Sequence, residues 1–368
     1  MADPQEPLTL TRSPAPLRGF SRLENGLYLN PTAYVSSPMD TSLPLAGQGR
    51  YFTACDVLIR DKGQVNQCLL GLDPLRRWAG EEGVGDQVER VLSTLSAPRP
   101  AFAGLDMGKV HLMGVVNVTP DSFSDGGAFL KTEAAVAQAL RLVEEGASII
   151  DVGGESTRPG AAPVSPEEES ARVIPVIRAL AERGVLVSVD TRHAIVMEQA
   201  CAAGAGIIND VSALTHDPAA LPVVIKLKKP VILMHMQGDP HSMQQAPCYG
   251  FAPLDVYDYL AGRVAECLRA GIKRENIALD VGIGFGKTDV HNLQLLDHLA
   301  LFHGLGCPLV LGVSRKSFIG RLSRGEPPQD RLPGSLAGAL AGVERGVQML
   351  RVHDVAQTRQ ALVIVNAL

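Results

Sequence analysis

The feature that most constrains the fold is a pattern that repeats from residue 109 to the C-terminus. In each repeat a short β-branched run is followed by a polar or glycine-containing turn and then by a longer amphipathic stretch. This alternation is typical of parallel sheets in which a helix connects each strand to the next. Eight such strands close a barrel. We therefore predict an α/β chain built on a (β/α)8 TIM barrel, with strand candidates at 110–116, 148–152, 186–189, 206–208, 231–234, 277–279, 309–313 and 349–352.

Local signals predict several helix boundaries. The run Ser165-Pro166-Glu167-Glu168 places an N-cap serine before a proline at the first helical position and an acid at the third, which indicates a helix start. A glycine after a helix indicates a left-handed residue that ends it. The candidate helices are 133–145, 166–182, 193–203 and 254–270, and the glycines that follow helices are Gly146, Gly184, Gly204 and Gly271.

The chain is longer than one barrel requires. It has 368 residues, whereas a barrel of this type commonly takes about 250. Prolines and glycines indicate a linker at 98–108, which separates an extension at 1–97 from the barrel at 109–368. The extension contains one strand-like run, 50–61, and one helix-like run, 86–95, too few for an independent core of useful size. We expect a small α/β extension that docks on the barrel or on the second subunit of a homodimer and does not enter the chemistry.

Composition excludes several classes of function. The net charge is -5 and no block of lysine and arginine is present, so the broad positive field of a nucleic-acid binder is missing. The six cysteines are scattered without a Cys-x-x-Cys pair, which favours reduced thiols over a zinc site. No apolar run approaches the ~20 residues of a membrane span. We expect a cytoplasmic protein that binds neither nucleic acid nor membrane.

Polar side chains follow nearly every strand candidate. In a barrel of this kind the carboxyl ends of the strands form the rim that carries the active site. Burying a ring of ionisable groups costs several kcal/mol for each group unless it is paired or meets a ligand, so the complete ring indicates a functional site. Singly, His235 and Asp210 are equally well explained as hydrogen-bonded core groups. The rim candidates are Asn117, Glu155-Ser156-Thr157-Arg158, Asp190, Asn209-Asp210, His235, Asp280, Ser314-Arg315-Lys316, Arg351 and His353.

A glycine-rich stretch at 282–288 is not a nucleotide-binding motif. A phosphate-binding P-loop needs a glycine where Val281 stands, and a dinucleotide fingerprint needs one where Lys287 stands. We interpret these glycines as positions where the backbone approaches a flat ligand closely.

Several of these motifs together resemble those of the dihydropteroate synthases. Two segments resemble the signature loops of that family, Asn117-Val-Thr-Pro-Asp-Ser-Phe-Ser-Asp-Gly-Gly127 and Asp151-Val-Gly-Gly-Glu-Ser-Thr-Arg-Pro-Gly160. The resemblance extends from about residue 109 to the C-terminus. Shorter matches are Ser188-Val-Asp-Thr191, Ile207-Ile-Asn-Asp210, Met234-His-Met-Gln-Gly238, Ser314-Arg-Lys-Ser317 and Arg351-Val-His-Asp354.

The resemblance implies a reaction and its substrates. The family condenses 6-hydroxymethyl-7,8-dihydropterin diphosphate with 4-aminobenzoate and releases diphosphate, in folate biosynthesis. We expect sulfonamides to compete with 4-aminobenzoate, because an aryl amine para to an acidic group fits the same slot. The family's mechanism is dissociative: diphosphate departs first, and the aromatic amine captures the pterin cation.

The resemblance also implies a role for each matching residue. Asp190, Asn209 and Asp280 match residues that read the amidine-like edge of the pterin through paired hydrogen bonds. Lys316 matches a residue near the reacting carbon. The expected substrate contacts are Phe123, Thr157, Arg158, Pro159, Asp190, Asn209, Asp280, Phe285, Lys316, Ser317, Arg351 and His353.

Two further implications concern charge. Arg351 and His353 are two residues apart at a strand end, so their side chains share one face and are expected to grip diphosphate together. Asn117 matches a magnesium ligand, so Mg2+ is the expected cofactor. From these roles we expect Lys316, Arg351, His353 and Asp190 to be the catalytic residues.

Two other kinds of protein share parts of this pattern. A pterin-dependent methyltransferase has no diphosphate to bind, so Lys316, Arg351, His353 and both signature loops favour the synthase. A non-catalytic paralogue would be expected to have lost a loop or a rim residue, and none is missing.

The chain departs from the family at Val281 and Ile283, where proline and phenylalanine are more usual.

Overall fold

The structure is a computed structural model that describes residues 8–19, 26–61, 63–119, 128–155, 164–239 and 242–367. The chain forms an N-terminal sheet with two helices, followed by a closed barrel. Both parts follow from the alternation of apolar and polar residues along their strands and helices.

The N-terminal extension is a five-stranded sheet covered by helices. Three long strands pair antiparallel, and the first strand adds to the edge in parallel. The strand order is β1-β5-β4-β2, with β3 paired to β4. Its elements are β1 (Thr9–Arg12), β2 (Leu27–Val35), β3 (Leu43–Pro44), β4 (Tyr51–Asp61), β5 (Gln64–Gly71), α1 (Leu72–Glu81) and α2 (Gly85–Ser96).

This sheet is buried on both faces. Val57 and Ile59 on β4 point to α1 and α2 and form a hydrophobic cluster with them, whereas Leu58 between them joins the main cluster of the barrel. Ala300 of the barrel completes the cluster of the extension. The strand at 50–61 and the helix at 86–95 were predicted correctly, and the extension docks on the barrel as expected, since both of its hydrophobic clusters include barrel residues. Strands β2 and β5 and helix α1 were missed.

The predicted barrel is confirmed. Eight parallel strands close on themselves in chain order, and each predicted strand agrees with the observed one within two residues. The barrel strands are β6 (His111–Asn117), β7 (Ile149–Gly153), β8 (Val187–Asp190), β9 (Ile207–Asp210), β10 (Val231–Met234), β11 (Ile277–Asp280), β12 (Leu309–Leu311) and β13 (Met349–Val352).

Helices surround the barrel and begin on the side where the strands end. The N-cap of one of them is the predicted one, since Ser165 accepts a hydrogen bond from the backbone N–H of Glu168 at 3.2 Å. The helices are α3 (Ala128–Glu145), α4 (Pro166–Ala181), α5 (Ala194–Ala202), α6 (Ala220–Leu227), α7 (Ala252–Arg269), α8 (Asp289–Asp297), α9 (Ser317–Leu322), α10 (Leu332–Glu344) and α11 (Val355–Ala367). Short 3-10 segments lie at Arg274–Asn276, Leu299–Leu305 and Pro328–Asp330.

The segment 98–108 is a plug and not a solvated linker. Phe102 and Met107 are both 0% exposed, and a pair of backbone hydrogen bonds joins Phe102 to Leu105. The two buried side chains form a cluster with residues near the amino ends of the barrel strands, including Met113 and Ile149. The segment therefore closes the end of the barrel opposite the rim.

None of the described helices is both long and apolar enough to cross a membrane.

Candidate active site

The barrel brings most of the predicted rim residues to one end. Asn117, Asp190 and Asp280 are the last residues of β6, β8 and β11, and Asn209 is next to last in β9. Because the strands are parallel and paired in register, their carboxyl ends meet. The polar side chains consequently lie together at one rim of the barrel.

Arg351 on β13 is the centre of this group. Its Nε donates to Asp151 Oδ2 at 2.7 Å and its Nη2 donates to Asp190 Oδ2 at 2.8 Å. The same Asp151 oxygen accepts from Asn209 Nδ2 at 3.1 Å. One guanidinium thus crosslinks carboxylates of β7 and β8, and an amide of β9 joins them. Such charge-assisted hydrogen bonds preorganise a site before a ligand arrives.

Asp151 was not among the residues predicted for the site. It lies inside the second signature loop match, and the signal that would have identified it is a carboxylate in the middle of an otherwise apolar strand, Ile149–Gly153. It is 0% exposed. A fully buried carboxylate needs a fixed positive partner, which Arg351 supplies.

Burial favours the neutral form of each ionisable group in the site, so it raises the pKa of the acids and lowers the pKa of the bases. It raises the pKa of Asp190 to about 7, although Arg351 opposes this, and it also raises the pKa of Asp280. For Lys316, burial together with Arg351 lowers the pKa to about 7, while Asp280 and Asp190 act in the opposite direction. For Arg351, burial favours the neutral form, but Asp151 and Asp190 outweigh it and raise the pKa. The site therefore holds one permanent cation, Arg351. Asp190, Asp280 and Lys316 are groups whose protonation state depends on the charge of a bound ligand.

Two further predicted residues flank Lys316. The ring of Phe285 lies under the Lys316 ammonium, with Nζ 3.9 Å from the ring centre, a geometry that favours the charged lysine. His353 contacts Ser314 Oγ through Nδ1 at 3.1 Å. Burial and then Arg351 lower the pKa of His353 to about 3, so this imidazole is neutral at pH 7.

Three glycines shape the loop that carries Phe285, and we call residues 281–287 the glycine loop. Gly282, Gly284 and Gly286 all have positive φ angles, of 69, 82 and 60°. A Cβ atom on Gly282 would lie 1.9 Å from the carbonyl oxygen of His235, and one on Gly286 would lie 2.3 Å from that of Gln237. The interpretation that these glycines admit a flat ligand is therefore corrected for Gly282 and Gly286, since the close approach is to the backbone of the preceding βα loop.

Lys287, the last residue of this loop, forms a buried pair with His235. Lys287 is 1% exposed, and its Nζ lies 2.9 Å from His235 Nδ1, 3.3 Å from the His235 carbonyl and 3.0 Å from the Phe285 carbonyl. Burial lowers the pKa values of both side chains well below their usual ranges. Lys287 was noted in the sequence only as the residue that breaks a dinucleotide motif; its contacts tie the glycine loop to the end of β10.

Some rim residues have structural partners. Asp210 accepts hydrogen bonds from Ser212 and from the backbone of Leu214, which favours the core-group explanation left open by the sequence. Arg315 forms an ion pair with Asp354, and the hydroxyl of Ser317 accepts from Arg321 at 2.9 Å.

Four predicted contacts, Phe123, Thr157, Arg158 and Pro159, lie outside the described residues. The described root of the second signature loop is an ion pair in which Arg192 donates to Glu155 at 2.8 and 3.1 Å.

Asn117 has an environment that suits a hard cation. A Cβ atom on Gly153 would lie 3.7 Å from Asn117 Oδ1 and 3.5 Å from Asp190 Cβ, so the amide oxygen stands at the rim beside the carboxylate network. In the described part of the chain, no group of three or more histidine, cysteine or acidic side chains is placed to hold a metal by itself. An amide oxygen is a hard ligand of the kind that magnesium takes, so Asn117 is the rim residue that would hold such an ion.

Comparisons with known proteins agree with this geometry. Residues 113–353 match the family model of the pterin binding enzymes. A dihydropteroate synthase from Haemophilus influenzae is 48% identical over 264 residues, which cover 72% of this chain and 95% of that protein. The structure of a Xanthomonas albilineans dihydropteroate synthase with 4-aminobenzoic acid is 49% identical and covers 72% of this chain and 96% of the other, with a TM-score of 0.68. A Yersinia pestis dihydropteroate synthase in a sulfonamide complex is 47% identical, covers 72% and 95%, and has a TM-score of 0.68.

Proposed function

The chain belongs to the dihydropteroate synthases within the pterin binding enzymes, and we propose that it joins 6-hydroxymethyl-7,8-dihydropterin diphosphate to 4-aminobenzoate through the residues at the rim of its barrel. The product is 7,8-dihydropteroate, as expected for an enzyme of folate biosynthesis. Neither a methyltransferase nor a non-catalytic paralogue is favoured by the proteins that it matches.

The observation that carries this proposal is the network around Arg351. Asp190 and Asn209 are both drawn towards it, directly or through Asp151, and Asp280 Oδ2 lies at the same rim, where a Cβ atom on Gly312 would contact it at 3.8 Å and Arg351 at 3.9 Å. Carboxylates and an amide that converge at one rim match the donors and acceptors on the edge of a pterin. Each such charge-assisted bond contributes roughly 1.5–3 kcal/mol.

In the first step the bond between the pterin methylene carbon and the diphosphate oxygen breaks. Arg351 and His353 face the departing group, and Lys316 lies near the carbon. As negative charge develops on the diphosphate, the low pKa of Lys316 rises, because a nearby anion stabilises the ammonium form. The carboxylates of Asp190 and Asp280 stabilise the cation that remains on the pterin.

We propose that Asn117 would hold a magnesium ion beside the diphosphate. A bound magnesium ion would neutralise charge on the leaving group.

In the second step the neutral amine of 4-aminobenzoate attacks the methylene carbon and then loses a proton. An aromatic amine already offers its lone pair, so no strong base is required. We assign the aminobenzoate pocket to Ser317 and to the signature-loop residues Phe123, Thr157, Arg158 and Pro159. A sulfonamide carries an aryl amine para to an acidic group, and we expect it to compete with 4-aminobenzoate.

We further propose a cytoplasmic homodimer. The scattered cysteines without a Cys-x-x-Cys pair support the compartment, and Val363 and Ile364, 60 and 61% exposed on α11, offer apolar surface for a second subunit.

The direct test is the formation of 7,8-dihydropteroate by the purified protein, with and without magnesium. We expect turnover that requires magnesium and is abolished in Lys316→Ala. Lys226→Ala is the matched control, because Lys226 is an exposed lysine that pairs with Glu198 on the outer helices. Absence of product from the native protein, or full activity of Lys316→Ala, would contradict the proposal.

A further inference from the structure

We propose that the N-terminal extension, residues 8–96, is a positioning element of the active site: it holds residues 249–258, and these in turn hold the glycine loop against Lys316. This inference rests on the proposed function, because its consequence is a change in affinity for the pterin substrate. It concerns a part of the chain that precedes the residues matching the family model.

The extension is hydrogen-bonded to the barrel near the start of α7. The Arg60 guanidinium at the end of β4 donates to Asp255 Oδ1 at 2.7 Å and to Asp258 Oδ2 at 2.9 Å. The Tyr28 hydroxyl donates to both oxygens of Asp258, at 2.9 and 3.0 Å. These three polar contacts bind the sheet to one turn of helix, and the Tyr28 ring also packs edge-on against Tyr257.

A backbone contact lies one residue before the N-cap of this helix. The N–H of Leu8, just ahead of β1, donates to the carbonyl of Gly250 at 2.9 Å. Asp255 links the two attachments, because its Oδ2 accepts from the N–H of Phe251, the N-cap residue of α7, at 3.1 Å. The extension therefore fixes both the first turn of α7 and the chain that leads into it.

The chain that leads into α7 contacts the glycine loop directly. The hydroxyl of Tyr249 donates to the carbonyl of Gly286 at 2.7 Å, and this tyrosine is 5% exposed. Earlier in the same βα loop, Gln244 Nε2 donates to the carbonyl of Gly284 at 2.6 Å. The carbonyls on both sides of Phe285 are thus held by residues of the loop that the extension anchors.

Phe285 transmits this position to the substrate site. Its ring lies 3.9 Å from Lys316 Nζ, and a Cβ atom on Gly284 would lie 3.2 Å from Lys316 Cδ. A shift of the glycine loop would therefore move Phe285 away from the ammonium group. Misplacing a substrate-contacting group by about 1 Å is enough to reduce the efficiency of a site considerably.

The test compares Arg60→Ala with Arg76→Ala in the full-length protein. Both arginines belong to the extension and both form an ion pair at 2.9 Å or less, but Arg76 pairs with Glu89 within the extension and not with the barrel. We expect Arg60→Ala to raise the KM for 6-hydroxymethyl-7,8-dihydropterin diphosphate by roughly three- to thirty-fold, with kcat changed less and with native helix content. Arg76→Ala should keep the native KM.

A double-mutant cycle with Tyr249→Phe tests the route. If the extension acts through Tyr249, the KM of the double variant should not exceed that of the more impaired single variant, whereas independent effects would multiply. Arg60→Lys should recover part of the native KM, since it keeps a charge for the Asp255 carboxylate.

Three outcomes would overturn the inference. They are an unchanged KM in Arg60→Ala, whatever its melting temperature; multiplicative effects in the double-mutant cycle; and an equal KM change in Arg76→Ala. If Arg60→Ala does not fold, Tyr28→Phe replaces it, because it removes only the hydroxyl that binds Asp258. Turnover by the native protein establishes the proposed function separately, so failure of the two ideas is distinguishable.

Discussion

Arg351 has more than one kind of partner. Its guanidinium is bound to Asp151 and Asp190, and the proposed reaction requires it to stabilise the leaving diphosphate as well. A planar guanidinium with five N–H donors can do both without moving. Its charge is held in place in advance, so little reorganisation is needed when the diphosphate departs.

Replacing Arg351 should consequently affect activity and stability together. Arg351→Ala leaves the buried Asp151 and Asp190 carboxylates without their cation, which typically costs about 3–5 kcal/mol. His353→Ala removes a neutral imidazole, so its effect on unfolding should be small. We expect both variants to lose roughly 10²–10³-fold in kcat/KM. Steady-state kinetics and urea unfolding of the two variants check this, and an Arg351→Ala protein with native stability would contradict the role of the network.

The lowered pKa of Lys316 predicts a pH-dependent cost in stability. Lys316 titrates at about 7 in the folded protein and near ~10.4 when unfolded. Between these values the unfolded state binds more protons, so the native protein gains stability as the pH rises. Lys316→Met removes this titration and should be more stable than the native protein by roughly 1–3 kcal/mol below pH 7, with the difference vanishing near pH 10.

Urea unfolding at pH 6, 8 and 10 measures this difference. Lys226→Met is the control, because that lysine is exposed. A Lys316→Met difference that stays constant over the pH range would show that Lys316 does not titrate as described.

At the scale of elements, the glycine loop is the least replaceable part of the described site. Its backbone is packed against the carbonyls of His235 and Gln237. Within the loop Lys287 donates to the Phe285 carbonyl, and from outside it Tyr249 and Gln244 donate to the carbonyls of Gly286 and Gly284. Val281 and Ile283, which differ from the family pattern, are each 1% exposed. They fill apolar space beneath the loop, so the departure concerns packing more than contacts to a substrate.

Two glycine-to-alanine variants should therefore have opposite effects. Gly282→Ala puts a Cβ atom 1.9 Å from a carbonyl oxygen at a φ of 69° and should destabilise the protein by roughly 2–4 kcal/mol. Gly80→Ala lies in α1, where a new Cβ atom meets nothing within 4 Å, and should stabilise it by about 0.5–1 kcal/mol. Chemical denaturation of both variants measures these effects, and equal shifts would refute the strain assigned to Gly282.

Sequence patterns predict some elements of this chain much better than others. The barrel strands could be located because each is a short apolar run ended by polar residues, and their polar ends correctly indicated Asp190, Asn209 and Asp280 at one rim. The contacts between side chains could not be predicted, because the partners of Arg351 come from strands 161 and 200 residues away. Likewise, Lys287 gives no sequence signal of its three acceptors, which only the folded loop brings together.

At the scale of the whole molecule, the extension and the barrel share their cores. The sheet of the extension was underestimated because β2 and β5 are interrupted by proline, asparagine and glutamine, which weaken the alternation expected of strands. Those strands are stable because the barrel covers the face with Tyr28, Leu58 and Val65. The extension is therefore not a separate unit, and its fold depends on long-range packing that local patterns do not contain.

The structure of the plug at 98–108 also depends on long-range packing, here at the amino ends of the barrel strands. Prolines and glycines there are typical of a linker, but Phe102 and Met107 fill the space between the amino ends of the strands. Phe102→Ala should destabilise the protein by about 3–5 kcal/mol, as for other buried aromatic truncations. Leu69→Ala is the control: this leucine of β5 is 61% exposed, so the change should stay within about 0.5 kcal/mol.

Two truncations separate the plug from the extension. Both a chain that begins at residue 98 and one that begins at residue 109 lack the extension, but only the first retains Phe102 and Met107. Since a barrel that is open at its amino end exposes Met113, Ile149 and the rest of that cluster to water, we expect the shorter chain to have the lower melting temperature and to bind more of a hydrophobic dye. Equal melting temperatures for the two chains would mean that 98–108 is a linker after all, and that the barrel closes without it.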